Sequence, residues 1–149
     1  LQNSLSAQME FDVELAKKKS ADSPVFYVQY AHARIASILR KAGLKGSGPF
    51  NSKRVRPFQE LRHPAEIELA KELLRLPEIV ADTAKDYQIQ RVCLYAASIA
   101  AKFHKFYHDC QVIGEDKKTT RARLGLAMAS KIVLKNTLGL LGISAPEKM

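Results

Sequence analysis

The most informative segment of this sequence is Tyr27-Val28-Gln29-Tyr30-Ala31-His32-Ala33-Arg34. Apolar residues continue from it at steps of three and four, at Val28, Ala31, Ile35, Ile38 and Ala42. This spacing is that of one face of an α-helix, so the segment predicts a helix packed against a core.

A second stripe runs one residue earlier along the same predicted helix. It combines aromatic rings and cations at Tyr27, Tyr30, Arg34 and Lys41. Rings that stack on bases, beside cations that meet phosphates, are what a single-stranded nucleic-acid loop requires. The alternative is that the tyrosines border an ordinary core helix, with Arg34 extending its charged end to water.

Helical signals dominate the rest of the chain, and strand signals are almost absent. Ser23-Pro24 is an N-cap signal and Gly43 a stop signal, while Asp116 and Gly142 bracket the last helix. The other predicted helices cover about Leu5–Lys19, His63–Leu76, Pro77–Asp109 and Lys117–Leu141, with a basic loop over 43–62. The second half of the last helix is apolar nearly all round, which predicts its burial. We therefore predict an all-α bundle of four to six helices in a single domain, residues 1–149.

Composition limits the classes of function. The chain has 149 residues and a formal net charge of +9, which favours a polyanionic partner. No apolar run reaches the length of a membrane span. Cys93 and Cys110 lie on one predicted helix, about 25 Å apart, so they cannot form a disulfide bond. Free thiols indicate a reducing compartment, and we expect a cytoplasmic protein.

Signals for catalysis or metal binding are weak. His104 and His108 form an i, i+4 pair with Asp109 nearby, but a third ligand at a suitable spacing is missing, so a solvated helix face is the preferred interpretation. The sequence has no glycine-rich phosphate loop and no nucleophile signature. By its own residues the chain does not look like an enzyme.

Basic residues cluster in the last predicted helix. Lys117, Lys118, Arg121 and Arg123 crowd its N-terminal turns, where the helix dipole already attracts anions. Lys131 is the only charged member of an otherwise apolar seam. Its side chain either extends to solvent or faces a groove in which RNA lies.

Three motifs resemble one family. The segment Ser23–Ile35 closely resembles the opening of the C-terminal helical domain of arginyl-tRNA synthetases. Phe103-His104-Lys105-Phe106-Tyr107, followed by Cys110, looks like that family's Phe-His-x-Phe-Tyr-x-x-Cys helix. Leu140-Leu141-Gly142-Ile143-Ser144-Ala145-Pro146-Glu147-Lys148-Met149 matches its closing signature.

The resemblance implies a bundle that grips the anticodon arm of the arginine tRNA. Tyr95 is the candidate for stacking on an extruded base, with core packing as an equal alternative. The family usually has Pro-His-Arg where this chain has Ile89-Gln90-Arg91. The expected tRNA-binding residues are Tyr27, Gln29, Tyr30, His32, Arg34, Tyr95, His104, Lys117, Lys118, Arg121, Lys131, Lys135, Lys148 and Met149.

The resemblance also implies what the chain lacks. Neither a HIGH-type nor a KMSKS-type signature occurs, so we read the chain as the C-terminal part of an arginyl-tRNA synthetase, with residues 1–22 leading in from the catalytic domain. The implied partners are arginine isoacceptor tRNAs and that catalytic domain, in a monomer. ATP and Mg would serve the full-length enzyme, and this domain would need no cofactor. The rival interpretation is a basic helical module that binds an acidic protein.

Overall fold

The computed structural model describes residues 23–43, 57–114 and 116–149. Within these ranges the chain forms five α-helices and one short 3-10 helix, Pro57–Glu60, and no strand. The α-helices are α1 (Pro24–Lys41), α2 (Pro64–Leu74), α3 (Leu76–Asp86), α4 (Gln90–Asp109) and α5 (Lys117–Leu140). The predicted all-α bundle of four to six helices is therefore confirmed, while the predicted helix Leu5–Lys19 and most of the basic loop lie outside the described residues.

The core lies where α1, α2, α4 and α5 meet. From α1 it takes the predicted apolar face, with Val28, Ala31, Ile35 and Ile38 all buried. The largest fully buried apolar side chains are Ile35, Leu69, Ile99, Phe103, Phe106, Leu126, Leu134 and Leu138. Both aromatic residues of this list, Phe103 and Phe106, belong to α4. Because α4 also contacts α1, α2, α3 and α5, it is the central helix of the bundle.

The helix boundaries follow the expected signals, except that one expected N-cap residue makes no capping hydrogen bond. Asp116 caps α5, accepting hydrogen bonds from the backbone N–H of Thr119 at 2.8 Å and of Lys118 at 3.4 Å. Gly43 and Gly142 end their helices with φ of 76° and 69°, the left-handed region that glycine adopts without strain. Ser23 stands at the N-cap of α1, but its side chain makes no capping hydrogen bond.

The single long helix expected over Pro77–Asp109 is wrong, because the chain turns between α3 and α4. Tyr87 has a φ of 59°, and the Asp86 carboxylate accepts the backbone N–H of Gln88 at 3.1 Å. Asp86 also pairs with Arg91 at 2.7 Å. An aspartate that bonds the backbone two residues on forms an Asx turn, and this turn needs neither glycine nor proline.

The expected burial of the second half of α5 is only partly correct. Leu134 and Leu138 are buried, but Ile132 and Leu140 are 47% and 58% exposed. The helix contacts the bundle on one side, so residues on its other side remain outside the core. None of the helices described has the length and hydropathy of a membrane span.

A partly buried ion pair joins α2 to α5. Glu66 closes a capping box at the start of α2, accepting the backbone N–H of His63 at 2.9 Å, while the His63 ring accepts that of Ala65. Arg123 approaches the same carboxylate at 2.5 Å and donates to the Gln111 carbonyl at 2.8 Å. Arg123 is therefore tied into the bundle, unlike the other cations of the N-terminal turns of α5.

Candidate nucleic-acid interface

A basic groove opens between α1, the end of α4 and the C-terminal residues. Its volume is about 820 Å³, and its wall includes Tyr30, Arg34, Arg40, Lys41, Tyr107, Lys148 and Met149. The lining contains four cationic side chains and no Asp or Glu. A groove with this charge and two accessible tyrosines suits an anionic ligand that also carries flat rings.

The centre of the groove is a ring–guanidinium–ring arrangement. Arg34 lies with its guanidinium carbon 4.5 Å from the centroid of the Tyr107 ring, which favours a cation–π interaction. The same guanidinium donates a hydrogen bond of 2.8 Å to the Tyr30 hydroxyl. Tyr30 and Tyr107 are 40% and 36% exposed, so both rings keep accessible surface beside a cation already fixed in place.

His104 lies beneath this arrangement and is not on a solvated face, contrary to expectation. Its ring is 5.2 Å from that of Tyr27 and 5.9 Å from that of Tyr30, between centroids. Burial, followed by the positive charge of Arg34, lowers the pKa of His104. The neutral imidazole therefore packs against Tyr27 and Tyr30 without repelling Arg34.

No metal centre forms at the histidine pair in the part of the chain described. His108 is exposed and pairs with Asp109 at 2.8 Å, while His104 packs among aromatic rings. Over the described ranges, no three His, Cys, Asp or Glu side chains are grouped so that they could hold a metal ion.

The C-terminal segment, residues 141–149, is held along the edge of α1 that borders the groove. Gln29 donates from its amide nitrogen to the Ser144 carbonyl at 2.9 Å and to the Ser144 hydroxyl at 3.2 Å. Arg40 donates to the Glu147 carbonyl at 3.0 Å. Between these two contacts, His32 is fully buried and its Nδ1 lies 2.8 Å from the Pro146 carbonyl.

The contact with Pro146 indicates which ring nitrogen of His32 carries a proton. A carbonyl oxygen can only accept, so Nδ1 carries the proton, and the buried Nε2 has no hydrogen-bond partner in the described structure. Burial is the main cause that lowers the pKa of His32; its bond to Pro146 opposes the shift, and Lys131 adds to it. His32 is thus a neutral donor to the C-terminal segment.

Lys131 takes neither of the two roles expected for it. Its ammonium lies 2.7 Å from the Glu147 carboxylate, and only 15% of its side chain is exposed. That hydrogen bond holds the pKa of Glu147 below its ordinary value. The lysine in the apolar seam of α5 therefore pairs with an acid of the C-terminal segment.

Tyr95 lies in the core, as in the second of the two interpretations left open for it. It is 3% exposed, and its hydroxyl donates to the Glu72 carbonyl at 2.9 Å and approaches that of Leu73 at 3.3 Å. Burial raises its pKa to about 12. A buried ring that bonds the end of α2 has no free face for a base in this conformation.

The expected residues therefore fall into four groups. Those that line the groove are Tyr30, Arg34, Lys148 and Met149. Those that hold the C-terminal segment are Gln29, His32 and Lys131. Those packed beneath the groove or in the core are Tyr27, His104 and Tyr95. Those exposed elsewhere on α5 are Lys117, Lys118, Arg121 and Lys135.

The expected set omitted the groove residues Tyr107, Lys41 and Arg40, and the first two of these had a signal in the sequence. Tyr107 lies one helical turn after His104, inside the aromatic motif of α4. Lys41 belongs to the stripe of Tyr30 and Arg34, and Arg40 precedes it in the last turn of α1. Helical spacing from residues already singled out would have included Tyr107 and Lys41.

The comparisons with known proteins agree with this architecture. The family model described as DALR anticodon binding domain matches residues 28–149. The arginine–tRNA ligase of Desulfosudis oleivorans is 49% identical over 142 residues, which is 95% of this chain and 26% of that protein. The arginine–tRNA ligase of Dehalococcoides mccartyi strain CBDB1 is 45% identical over 149 residues, 100% of this chain and 26% of that protein.

A solved structure shows the same fold. The arginyl-tRNA synthetase of Thermus thermophilus superposes with a TM-score of 0.79 at 32% identity, covering 100% of this chain and 25% of that one. The chain thus spans about a quarter of the length of the proteins that it matches.

Proposed function

This chain belongs to the DALR anticodon binding domain family, and from that membership we propose that it is the tRNA-recognition part of an arginine–tRNA ligase. Its groove would receive the anticodon loop of arginine isoacceptor tRNAs. The ligase reaction, with its ATP and Mg, would belong to the rest of the polypeptide. We further propose a cytoplasmic, monomeric protein whose domain needs no cofactor of its own.

The observation that carries this proposal is the fixed Tyr30–Arg34–Tyr107 arrangement in a groove lined with cations. Unstacked bases of an RNA loop bind aromatic rings and guanidinium planes, and each stacked base contributes roughly 1–3 kcal/mol. Because Arg34 is already held over Tyr107, little side-chain ordering remains to be done on binding.

The remaining groove residues supply the complementary chemistry. Arg40, Lys41 and Lys148 would neutralise loop phosphates, which sets affinity and register without reading sequence. Met149 is 54% exposed at the groove and offers a flexible apolar contact to a base. Lys117, Lys118 and Arg121, on exposed turns of α5, would contact phosphates of the stem.

A binding titration tests the proposal. The chain is titrated with a labelled arginine anticodon stem-loop and with the same stem-loop carrying a changed anticodon, using fluorescence anisotropy. Tyr107→Ala should weaken binding of the arginine stem-loop about tenfold to a hundredfold, because it removes a stacking ring and the support of Arg34.

A matched control is Tyr87→Asn, which removes an exposed tyrosine outside the groove and places asparagine in the left-handed region that it tolerates. This variant should bind like the unmodified chain. Equal binding of both stem-loops, or an unchanged affinity of Tyr107→Ala, would contradict the proposal. Tighter binding to an acidic polypeptide than to RNA would instead support a protein-interaction module.

A further inference from the structure

We infer that Glu147 is a positioning residue that holds Lys148 and Met149 in the groove, and through them sets the affinity for RNA. The inference rests on the proposed function and concerns a residue that was not expected to have a role. Glu147 is the only acid of the C-terminal segment, and it stands between two helices and directly before two residues of the basic groove.

The contacts of Glu147 join both helices that border the segment. Its carboxylate lies 2.7 Å from the ammonium of Lys131 on α5 and 3.9 Å from the guanidinium of Arg40 on α1. Its carbonyl also accepts a hydrogen bond of 3.0 Å from Arg40. Glu147 is therefore fixed at main chain and side chain, immediately before the two groove residues.

The other contacts of the segment lie further from the groove residues. Gln29 binds Ser144, and His32 binds Pro146, on the side of the segment away from its last two residues. Without the Glu147 carboxylate these contacts would still hold residues 144–146, while Lys148 and Met149 would lose their nearest side-chain anchor. Ordering them again on binding RNA would cost conformational entropy, which lowers affinity.

Removing the negative charge of Glu147 is expected to change RNA affinity in the direction opposite to that of simple electrostatics. An acid near a bound polyanion repels it, so neutralising that acid should by itself strengthen RNA binding. If Glu147 acts by holding the last two residues, Glu147→Gln should weaken binding instead, about three- to tenfold. The substitution keeps the size of the side chain and the backbone bond to Arg40.

The experiment compares the dissociation constants of four variants for the arginine anticodon stem-loop. They are Glu147→Gln, the tip variant Lys148→Ala with Met149→Ala, the combination of both, and Glu68→Gln. Glu68 is an exposed acid of α2 paired with Lys71 and Lys102, away from the groove, so it controls for the change of charge. Glu147→Gln should weaken binding, Glu68→Gln should not, and the combination should bind no more weakly than the tip variant alone.

A second measurement does not depend on RNA. In the free chain, the heteronuclear ¹H–¹⁵N NOE of Lys148 and Met149 should fall in Glu147→Gln and stay unchanged in Glu68→Gln. An unchanged NOE, or RNA binding that tightens in Glu147→Gln, would overturn the inference. If the unmodified chain fails to bind the stem-loop, the proposed function fails, and so does the effect on affinity, while the NOE still decides whether Glu147 holds the two residues.

Discussion

Two edges of α1 both carry residues that the sequence marked as RNA-binding candidates, but the structure gives them different contacts. The groove edge presents Tyr30 and Arg34 to the basic groove. The tail edge presents Gln29 and His32 to the C-terminal segment, which occupies their polar atoms. Residues next to each other in sequence point about 100° apart around a helix, so a single turn of α1 borders the groove and also makes an internal contact. Residue type alone does not separate a binding residue from one that holds another part of the protein.

The largest effect is expected at the centre of the groove edge. Arg34→Ala should weaken binding of the arginine anticodon stem-loop about tenfold to a hundredfold, because it removes a cation that contacts both tyrosines. Fluorescence anisotropy measures the loss. Arg75→Ala, which also removes one positive charge but from the junction of α2 and α3, should change affinity far less. A comparable loss in both variants would mean that only net charge matters, and the distinction between the edges would fail.

A pair of matched tyrosine substitutions separates groove from core. Tyr95→Phe should lower the free energy of unfolding by about 1 kcal/mol, since it leaves buried carbonyls at the end of α2 without their hydroxyl donor. Tyr30→Phe removes a hydroxyl at an exposed site and should leave stability nearly unchanged. Urea denaturation measures both. RNA affinity that falls in Tyr95→Phe without loss of stability would return Tyr95 to the interface.

The smallest expected effect is a loss of folding stability in acid that arises at His32, on the tail edge of α1. The pKa of His32 is lowered from about 6.5, mainly by burial, and its neighbours are the Pro146 carbonyl, Glu147, and Lys131 and Lys135 on α5. A lowered pKa means that the folded state favours the neutral ring. The resulting stability is complete above pH 6.5 and is lost as the pH falls through the folded-state pKa.

The measurement is thermal or urea unfolding between pH 7 and pH 5. His32→Gln should show a shallower loss of stability over this range than the unmodified chain. His108→Gln, which alters an exposed histidine, should keep the original slope. The same slope in all three proteins would show that His32 does not couple protonation to the docking of the tail.

The sequence predicted the structure best where the pattern involves residues within a few positions of one another. The period of Val28, Ala31, Ile35 and Ile38, the cap at Asp116 and the glycines at 43 and 142 all predicted features that the structure contains. Each of these depends on helix geometry or on one residue's conformational range. The turn at Tyr87 was missed because it is made by a carboxylate bonding a nearby backbone, in residues that otherwise continue a helical pattern.

Residue order was enough to predict the all-α class, the positive charge, the family motifs and the stripe of Tyr30, Arg34 and Lys41, because helical periodicity and net charge depend on nothing else. Which of the candidate residues face the groove could be seen only in the folded chain. The contacts of Lys131 with Glu147 and of His32 with Pro146 join residues 16 and 114 positions apart. A pattern read over a few helical turns cannot contain such pairings, because they arise when distant segments share one core and compete for the same polar partners.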